Sequence, residues 1–177
     1  MRMVTLYIAM SLDGFIADRQ GGVGWLNGHN DPAEPDSSYI SFLQGVDTII
    51  MGWNTYHQIT TELSPDHWVY DSLISYVITH RPLPATDNIL FTSEDPAALV
   101  RRLRQTPGKA IWICGGGSII HPLMAERLIN QYHISIIPTI LGSGISLFDT
   151  IPEEQKLRLV HTQTQNGIVE LVYVPRA

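Results

Sequence analysis

Short apolar segments alternate with segments of helical character through the first two-thirds of the chain. The apolar segments span residues 4–10, 48–51, 76–79, 89–92 and 110–114, and the intervening patterns predict helices over 35–43, 55–62, 95–105 and 118–127. Strands that are joined through helices run parallel, and a parallel sheet needs helices on both of its faces. The order therefore predicts a three-layer α/β fold with a mostly parallel central sheet.

The C-terminal part of the chain has a different pattern. A long strand is predicted over residues 132–140, and two further strands, 157–163 and 168–174, flank the pair Asn166-Gly167. Asn-Gly favours the type I′ turn of a tight hairpin, so antiparallel strands should close one edge of the sheet. Because no repeat or linker interrupts the pattern, we expect residues 1–177 to form a single domain.

Charge and composition exclude several classes of protein. The chain has 11 Lys and Arg against 17 Asp and Glu, giving a net charge of −6, which argues against phosphate-driven nucleic-acid binding. The single cysteine, Cys114, cannot form an internal disulfide. No apolar segment is long enough to span a bilayer. We therefore expect a cytoplasmic protein without nucleic-acid or membrane partners.

Three glycine-rich segments fail the usual motif tests. A dinucleotide fingerprint needs glycine at the sixth position, but that position is Ile120 counted from Gly115 and Leu147 counted from Gly142. The third segment, Gly108-Lys109, is followed by Ala110 and so lacks the Ser or Thr of a phosphate-binding P-loop. The chain also lacks the patterned histidines and the paired cysteines of a zinc site. We expect no metal.

Five segments, taken in order, resemble the dihydrofolate reductase superfamily, in particular the branch that contains the reductase domain of riboflavin biosynthesis. They are IAMSLDGFIA from residue 8, IMGWNTY from residue 50, YVIT from residue 76, ICGGGSI from residue 113 and PTILGSG from residue 138. The resemblance covers nearly the whole chain and is greatest to small bacterial dihydrofolate-reductase-like proteins. It implies the three-layer fold of that superfamily and a reductase that uses NADPH.

The resemblance places the cofactor at two glycine turns and at the end of a strand. Glycines that precede a helix let backbone N–H groups approach phosphates, although the same turns occur as ordinary strand-to-helix connections. In the family a cis peptide joins the first two glycines of the second turn. Trp53 stands where the family has Arg, which weakens the expected preference for NADPH. The implied cofactor residues are Ala9, Ile16, Gly52, Trp53, Asn54, Thr55, Thr79, His80, Arg81, Gly115, Gly116, Gly117, Ser118 and Ile119.

The family's active-site acid lies fifteen residues before the Met of the Met-Gly pair, which corresponds to Asp36 here. A carboxylic acid in an apolar cleft could protonate a ring nitrogen, but Asp after Pro35 is equally a helix N-cap. Asp13 is a further candidate, for substrate contact or for anchoring the long loop of residues 18–35, although an Asp-Gly pair that simply forms a turn is the plainer account. The implied substrate-binding residues are Asp13, Trp25, Tyr39, Ile40 and Tyr56.

Charge also limits the substrate. Between Arg19 and Arg81 the chain has no Lys or Arg, whereas dihydrofolate reductases hold the glutamate tail of folate with an arginine in this stretch. We therefore expect hydride transfer to a small pterin- or pyrimidine-like heterocycle, without efficient turnover of dihydrofolate. A 5-amino-6-(5-phosphoribosylamino)uracil-type reductase and a non-catalytic nucleotide-binding protein are the alternatives. The riboflavin branch commonly pairs, so we expect a homodimer.

Overall fold

The computed structural model describes residues 1–29 and 37–176, with only the backbone of Ser37. Four helices lie in these segments: α1 (Ser37–Gln44), α2 (Trp53–Gln58), α3 (Pro96–Arg104) and α4 (Gly117–Ala125). The strands are β1 (Val4–Ser11), β2 (Phe15–Ala17), β3 (Val46–Gly52), β4 (Ile74–Ile78), β5 (Ile89–Thr92), β6 (Ala110–Gly115), β7 (Gln131–Ile137), β8 (Ile145–Ser146), β9 (Leu157–Gln165) and β10 (Ile168–Pro175).

Eight of these strands form one sheet in the order β5-β4-β3-β6-β1-β7-β10-β9. The strands from β5 to β7 are parallel, and β10 and β9 continue the sheet in antiparallel pairing. The predicted fold class is therefore confirmed. Because the six parallel strands point the same way, their C-terminal residues share one edge of the sheet, which we call the carboxyl edge: Ser11, Gly52, Ile78, Thr92, Gly115 and Ile137.

The predicted hairpin turn is also confirmed. Asn166 and Gly167 both have positive φ, 52° and 74°. Positive φ at both central residues defines the type I′ turn, whose twist matches that of the strands it joins.

The two faces of the sheet differ in composition. The aliphatic face, covered by α3 and α4, packs residues such as Leu6, Ile50 and Leu99 into a fully buried cluster. The aromatic face, covered by α1 and the segment that follows α2, packs Tyr7, Trp112 and other aromatic side chains. Nine aromatic residues of the described chain belong to this cluster, and their ring contacts link α1 to β1 and β6.

Several predicted boundaries are wrong. The helix predicted to reach residue 127 ends at Ala125, since Arg127 has a left-handed φ of 55°. The strand predicted over 132–140 ends at Ile137, because Pro138 has no N–H to continue the ladder. The helix predicted over 55–62 begins at Trp53 and finishes in a π-helical turn, Ile59–Leu63. The short pair of β2 and β8 was not predicted.

No helix in the described part of the chain has both the length and the apolar character needed to cross a membrane.

Candidate functional site

The two glycine turns lie side by side at the carboxyl edge. Met51 at the end of β3 pairs with Gly115 at the end of β6, so the turns that follow these strands are neighbours. A Cβ added to Gly52 would lie 3.8 Å from the Ser118 hydroxyl, and one added to Gly116 would lie 3.9 Å from the Thr55 hydroxyl. The Gly52 turn therefore faces the start of α4 and its Ser118 hydroxyl, and the Gly116 turn faces the start of α2 and its Thr55 hydroxyl.

The backbone supplies the polar groups of these turns. Gly52 and Gly116 are the N-cap residues of α2 and α4, and neither helix has a side-chain cap. The peptide bond between Gly115 and Gly116 is cis, as the resemblance implied. Asn54 and Thr55, two of the implied cofactor residues, lie within the first turn of α2. A helix leaves its first N–H groups without an intrahelical acceptor, although in α4 the Ile119 N–H already donates to the Gly116 carbonyl at 3.0 Å.

The end of β4 lies next to the first turn. Thr79, His80 and Arg81 line a surface depression together with Thr92 and Ser93 from the end of β5. The Arg81 guanidinium lies 4.7 Å from the centroid of the Trp53 ring, a cation–π contact. Trp53 also stacks on His57, with the ring centroids 5.3 Å apart. The structure thus places an arginine charge over the tryptophan that replaces the family's arginine.

Asp13 ties two loops together. Its carboxylate accepts hydrogen bonds from the Leu141 and Gly142 N–H groups at 3.1 and 2.7 Å, and from the Ser11 hydroxyl at 2.6 Å. The Ser11 bond is the largest effect on the pKa of Asp13, and together with the backbone donors it lowers that pKa. Asp13 therefore anchors residues 141–142, which lie outside the 18–35 loop that it was expected to anchor, and substrate contact stays a prediction.

The first turn of α1 carries two of the predicted substrate residues. Tyr39 points into the aromatic face, 5.8 Å from Tyr7 between ring centroids, whereas Ile40 is 49% exposed. Asp36, the predicted acid, lies outside the described residues, so its catalytic role stays a prediction. Tyr56 of α2 packs between Trp68 and Phe91.

The loop after β2 runs between two other elements. Gln58 of α2 donates to the Gly21 carbonyl at 3.0 Å, and the His29 N–H donates to the Asn166 carbonyl of the hairpin turn at 2.9 Å. Trp25 lies between these two attachments, half-buried, with its indole N–H on the Gly22 carbonyl at 3.2 Å. Among the residues predicted to contact the cofactor, Ala9 is half-buried on β1, while Ile16 packs against the aliphatic cluster.

One polar cluster on the aromatic face was not predicted from the sequence. Glu170 of β10 accepts hydrogen bonds from the Ser38 hydroxyl at 2.8 and 3.0 Å and from the Gln163 amide, and His133 Nε2 lies 3.5 Å from its Oε2 atom. Glu170 is only 7% exposed. The signal was a lone carboxylate in the apolar strand IVELVYV, at a position that alternation turns inward.

Neither a cysteine nucleophile nor a metal site is supported by the described residues. Burial, which outweighs a hydrogen bond to Tyr70, raises the pKa of Cys114 to about 12, so the thiol is not poised as a nucleophile. Within residues 1–29 and 37–176, no group of three or more His, Cys, Asp or Glu could hold a metal ion.

The fold defines the class of protein. The structure superposes on the dihydrofolate reductase of Enterococcus faecalis complexed with NADP(H), with a TM-score of 0.64 at 12% identity over 99% of this chain and 97% of that one. It superposes more closely on a Shewanella sp. PV-4 protein provisionally assigned to riboflavin biosynthesis, with a TM-score of 0.86 at 24% identity over 99% of both chains. The protein has the dihydrofolate-reductase-like α/β fold.

Sequence comparison gives the family. The model of the RibD C-terminal domain matches residues 2–169. The chain is also 40% identical over 174 residues to the uncharacterized protein YwjB of Bacillus subtilis strain 168, which covers 98% of both chains. The protein belongs to the RibD C-terminal domain family, which confirms the resemblance drawn from the five segments.

Proposed function

We propose that residues 1–177 act as one reductase domain that binds NADPH and transfers its hydride to a small pterin- or pyrimidine-like heterocycle. The observation that carries the proposal is the meeting of the 52–55 and 115–118 turns at the carboxyl edge. Backbone N–H groups and the hydroxyls of Thr55 and Ser118 converge there on space that a Cβ at Gly52 or Gly116 would enter. Such a place suits the phosphates of a dinucleotide.

The remaining cofactor contacts follow from this position. The backbone of residues 115–119 would hold one phosphate and that of residues 52–55 the other, while Thr79, His80 and Arg81 would hold the adenosine end. Ala9 and Ile16 would lie towards the nicotinamide, which supplies the hydride when the cofactor is bound. Because Arg81 lies over Trp53, a cation remains near the position from which the family's arginine is missing. This favours the 2′-phosphate of NADPH.

The substrate would lie against the aromatic face. Tyr39, which packs into this face, and Trp25, in the loop attached to Gln58 and Asn166, would contact the substrate, and Asp36 would supply the proton that accompanies hydride transfer. Family membership favours a pyrimidine of the riboflavin pathway kind. A phosphorylated pyrimidine is the less favoured form, since residues 20–80 contain no Lys or Arg to bind its phosphate.

Replacement of Gly52 by Ala tests the cofactor site. The φ of Gly52 is −82° and the added Cβ would meet nothing nearer than 3.5 Å, so the variant should fold. We expect calorimetry to detect NADPH binding to the wild type and at least tenfold weaker NADPH binding to Gly52→Ala. Gly24→Ala, at an open loop position, is the matched control and should bind like the wild type. No heat and no thermal shift with millimolar NADPH or NADH would rule out the proposed function.

Turnover separates this proposal from a binding protein without catalysis. Steady oxidation of NADPH with a pterin, pyrimidine or quinone-like acceptor is expected. With dihydrofolate, kcat/KM should fall well below the range of roughly 10⁴–10⁸ M⁻¹s⁻¹ that enzymes reach with their own substrates. Asp36→Asn should abolish any residual rate if Asp36 is the acid and should leave that rate intact if Asp36 is only a helix cap.

Assembly and location complete the proposal. We propose a cytoplasmic homodimer, for which light scattering should give twice the chain mass of 19.8 kDa. Closed two-fold pairing is the commonest form of oligomer. A mass equal to that of one chain at working concentration would contradict it.

A further inference from the structure

The side chain of His121 leans back over the start of α4. Residues four apart in a helix lie on the same face, and each Cα–Cβ bond tilts towards the helix N-terminus, so the ring of His121 projects over Gly117. A Cβ added to Gly117 would lie 3.0 Å from Cε1 and 3.4 Å from Nε2 of His121. The imidazole therefore packs against the backbone of the 115–118 turn, in space that a side chain at position 117 would occupy.

The same ring bonds a segment that is distant in sequence. Nε2 of His121 lies 3.1 Å from the Leu147 carbonyl oxygen and 3.3 Å from that of Ser146. Because carbonyl oxygens only accept, Nε2 must carry the ring proton and donate it to them. Nδ1 faces the exposed carboxylate of Asp149 at 3.6 Å. His121 thus ties Ser146 and Leu147 to α4.

The segment that His121 holds is attached in turn to β2. Strand β8 pairs with β2 in antiparallel register. Directly after β8, the Leu147 N–H donates to the Gly14 carbonyl at 2.9 Å, and the Leu147 side chain is fully buried in the aliphatic cluster. The position of β2 therefore depends on β8 and Leu147, which His121 ties to α4.

These contacts span the proposed cofactor site. The 115–118 turn lies at one end and Ile16 of β2 at the other, where the nicotinamide would be. A site that is already held in its binding geometry costs less to order on binding than one that the ligand must assemble. We propose that His121 is a positioning residue of the cofactor site, which fixes β2 relative to α4 so that one NADPH molecule can contact both. This inference rests on the proposed function, since that function puts Ile16 beside the nicotinamide.

Two substitutions separate the hydrogen bond of His121 from its packing. His121→Phe keeps a ring over Gly117 but cannot donate, whereas His121→Gln keeps an N–H donor without the ring. Calorimetry measures their affinities for NADPH, which would span both elements, and for adenosine 2′,5′-bisphosphate, which would reach only the adenosine end. We expect His121→Phe to lose at least tenfold of the NADPH affinity and to bind the bisphosphate within twofold of the wild type. His121→Gln should keep its NADPH affinity within threefold of the wild type.

Amide hydrogen exchange in the protein without ligand supplies a second readout. The Ile113 N–H lies in the buried core and reports global unfolding. In His121→Phe the exchange of the Leu147 N–H should accelerate at least tenfold more than that of Ile113, and equal acceleration of both would overturn the positioning role. His161→Phe, at an exposed position on β9, is the matched control and should behave like the wild type in both measurements.

The outcomes separate this inference from the proposed function. If the wild type and His121→Phe bind NADPH equally tightly, the role of His121 is overturned and the cofactor assignment survives. An equal loss of affinity for NADPH and the bisphosphate, or a loss in His121→Gln as large as in His121→Phe, would reduce the contact to general packing and also overturn it. If the wild type does not bind NADPH, the proposed function fails and the inference falls with it. Should His121→Phe not fold, His121→Ala, which adds no atoms to the site, takes its place with the same expectations.

Discussion

The two faces of the sheet differ in the kinds of side chain that they bury. The aliphatic face has residues such as Leu6, Ile113 and Leu99 with no solvent exposure and α3 and α4 packed on them. The aromatic face packs rings whose polar atoms need partners, and it includes the charged Glu170 and the imidazole of His133. Aliphatic packing stabilises without directional demands, whereas each buried polar atom must be satisfied. The comparison teaches that the aliphatic face chiefly supplies stability, whereas the aromatic face also buries polar groups whose positions are set by their partners.

The largest expected effect belongs to the aliphatic face. Leu99 of α3 is fully buried, so Leu99→Ala removes apolar contacts and leaves a cavity. We expect the free energy of unfolding to fall by about 2–5 kcal/mol in chemical denaturation. NADPH affinity measured under native conditions should not change.

The matched control is Leu159→Ala on the edge strand β9, where the side chain is 46% exposed. Its free energy of unfolding should stay within about 0.5 kcal/mol of the wild type. Equal losses in both variants would remove the basis for assigning stability to the aliphatic face.

A smaller loss is expected on the aromatic face. The indole N–H of Trp112 donates to the Tyr7 carbonyl at 3.0 Å within that face. Trp112→Phe keeps an aromatic ring but removes this donor, so we expect a loss of about 1–3 kcal/mol in the free energy of unfolding. Denaturation that is unchanged by the substitution would show that ring packing alone holds this face.

The smallest effect concerns pH. The pKa of Glu170 in the folded protein is lowered from its ordinary value of 4.5, so the folded state releases this proton more readily than the unfolded state. The resulting stability is fully present above about pH 4.5 and is lost as the pH falls through the folded-state pKa. Between pH 6 and 3 the melting temperature of Glu170→Gln should therefore fall less than that of the wild type. Parallel curves would show that Glu170 contributes no pH-dependent stability.

The sequence by itself determined the order of elements and much of what lies at the carboxyl edge. Apolar segments alternating with helical ones require a parallel sheet, and parallel strands bring the Gly52 and Gly115 turns to one edge. The Asn166-Gly167 turn followed from local backbone preferences alone. These features depend on short-range pattern and on chain connection, both of which are visible in a linear sequence.

Only the tertiary structure decided how side chains distant in sequence meet. The contact of Arg81 with Trp53 depends on the pairing of β4 with β3, and the Ser38–Glu170–His133 cluster unites a helix with two strands more than 30 residues apart. The role of Asp13 as an anchor depends equally on residues 141–142, which the linear pattern does not relate to it. A hydrogen bond is set by angstrom-scale distance and direction, and those are fixed only once strand register and helix packing are complete.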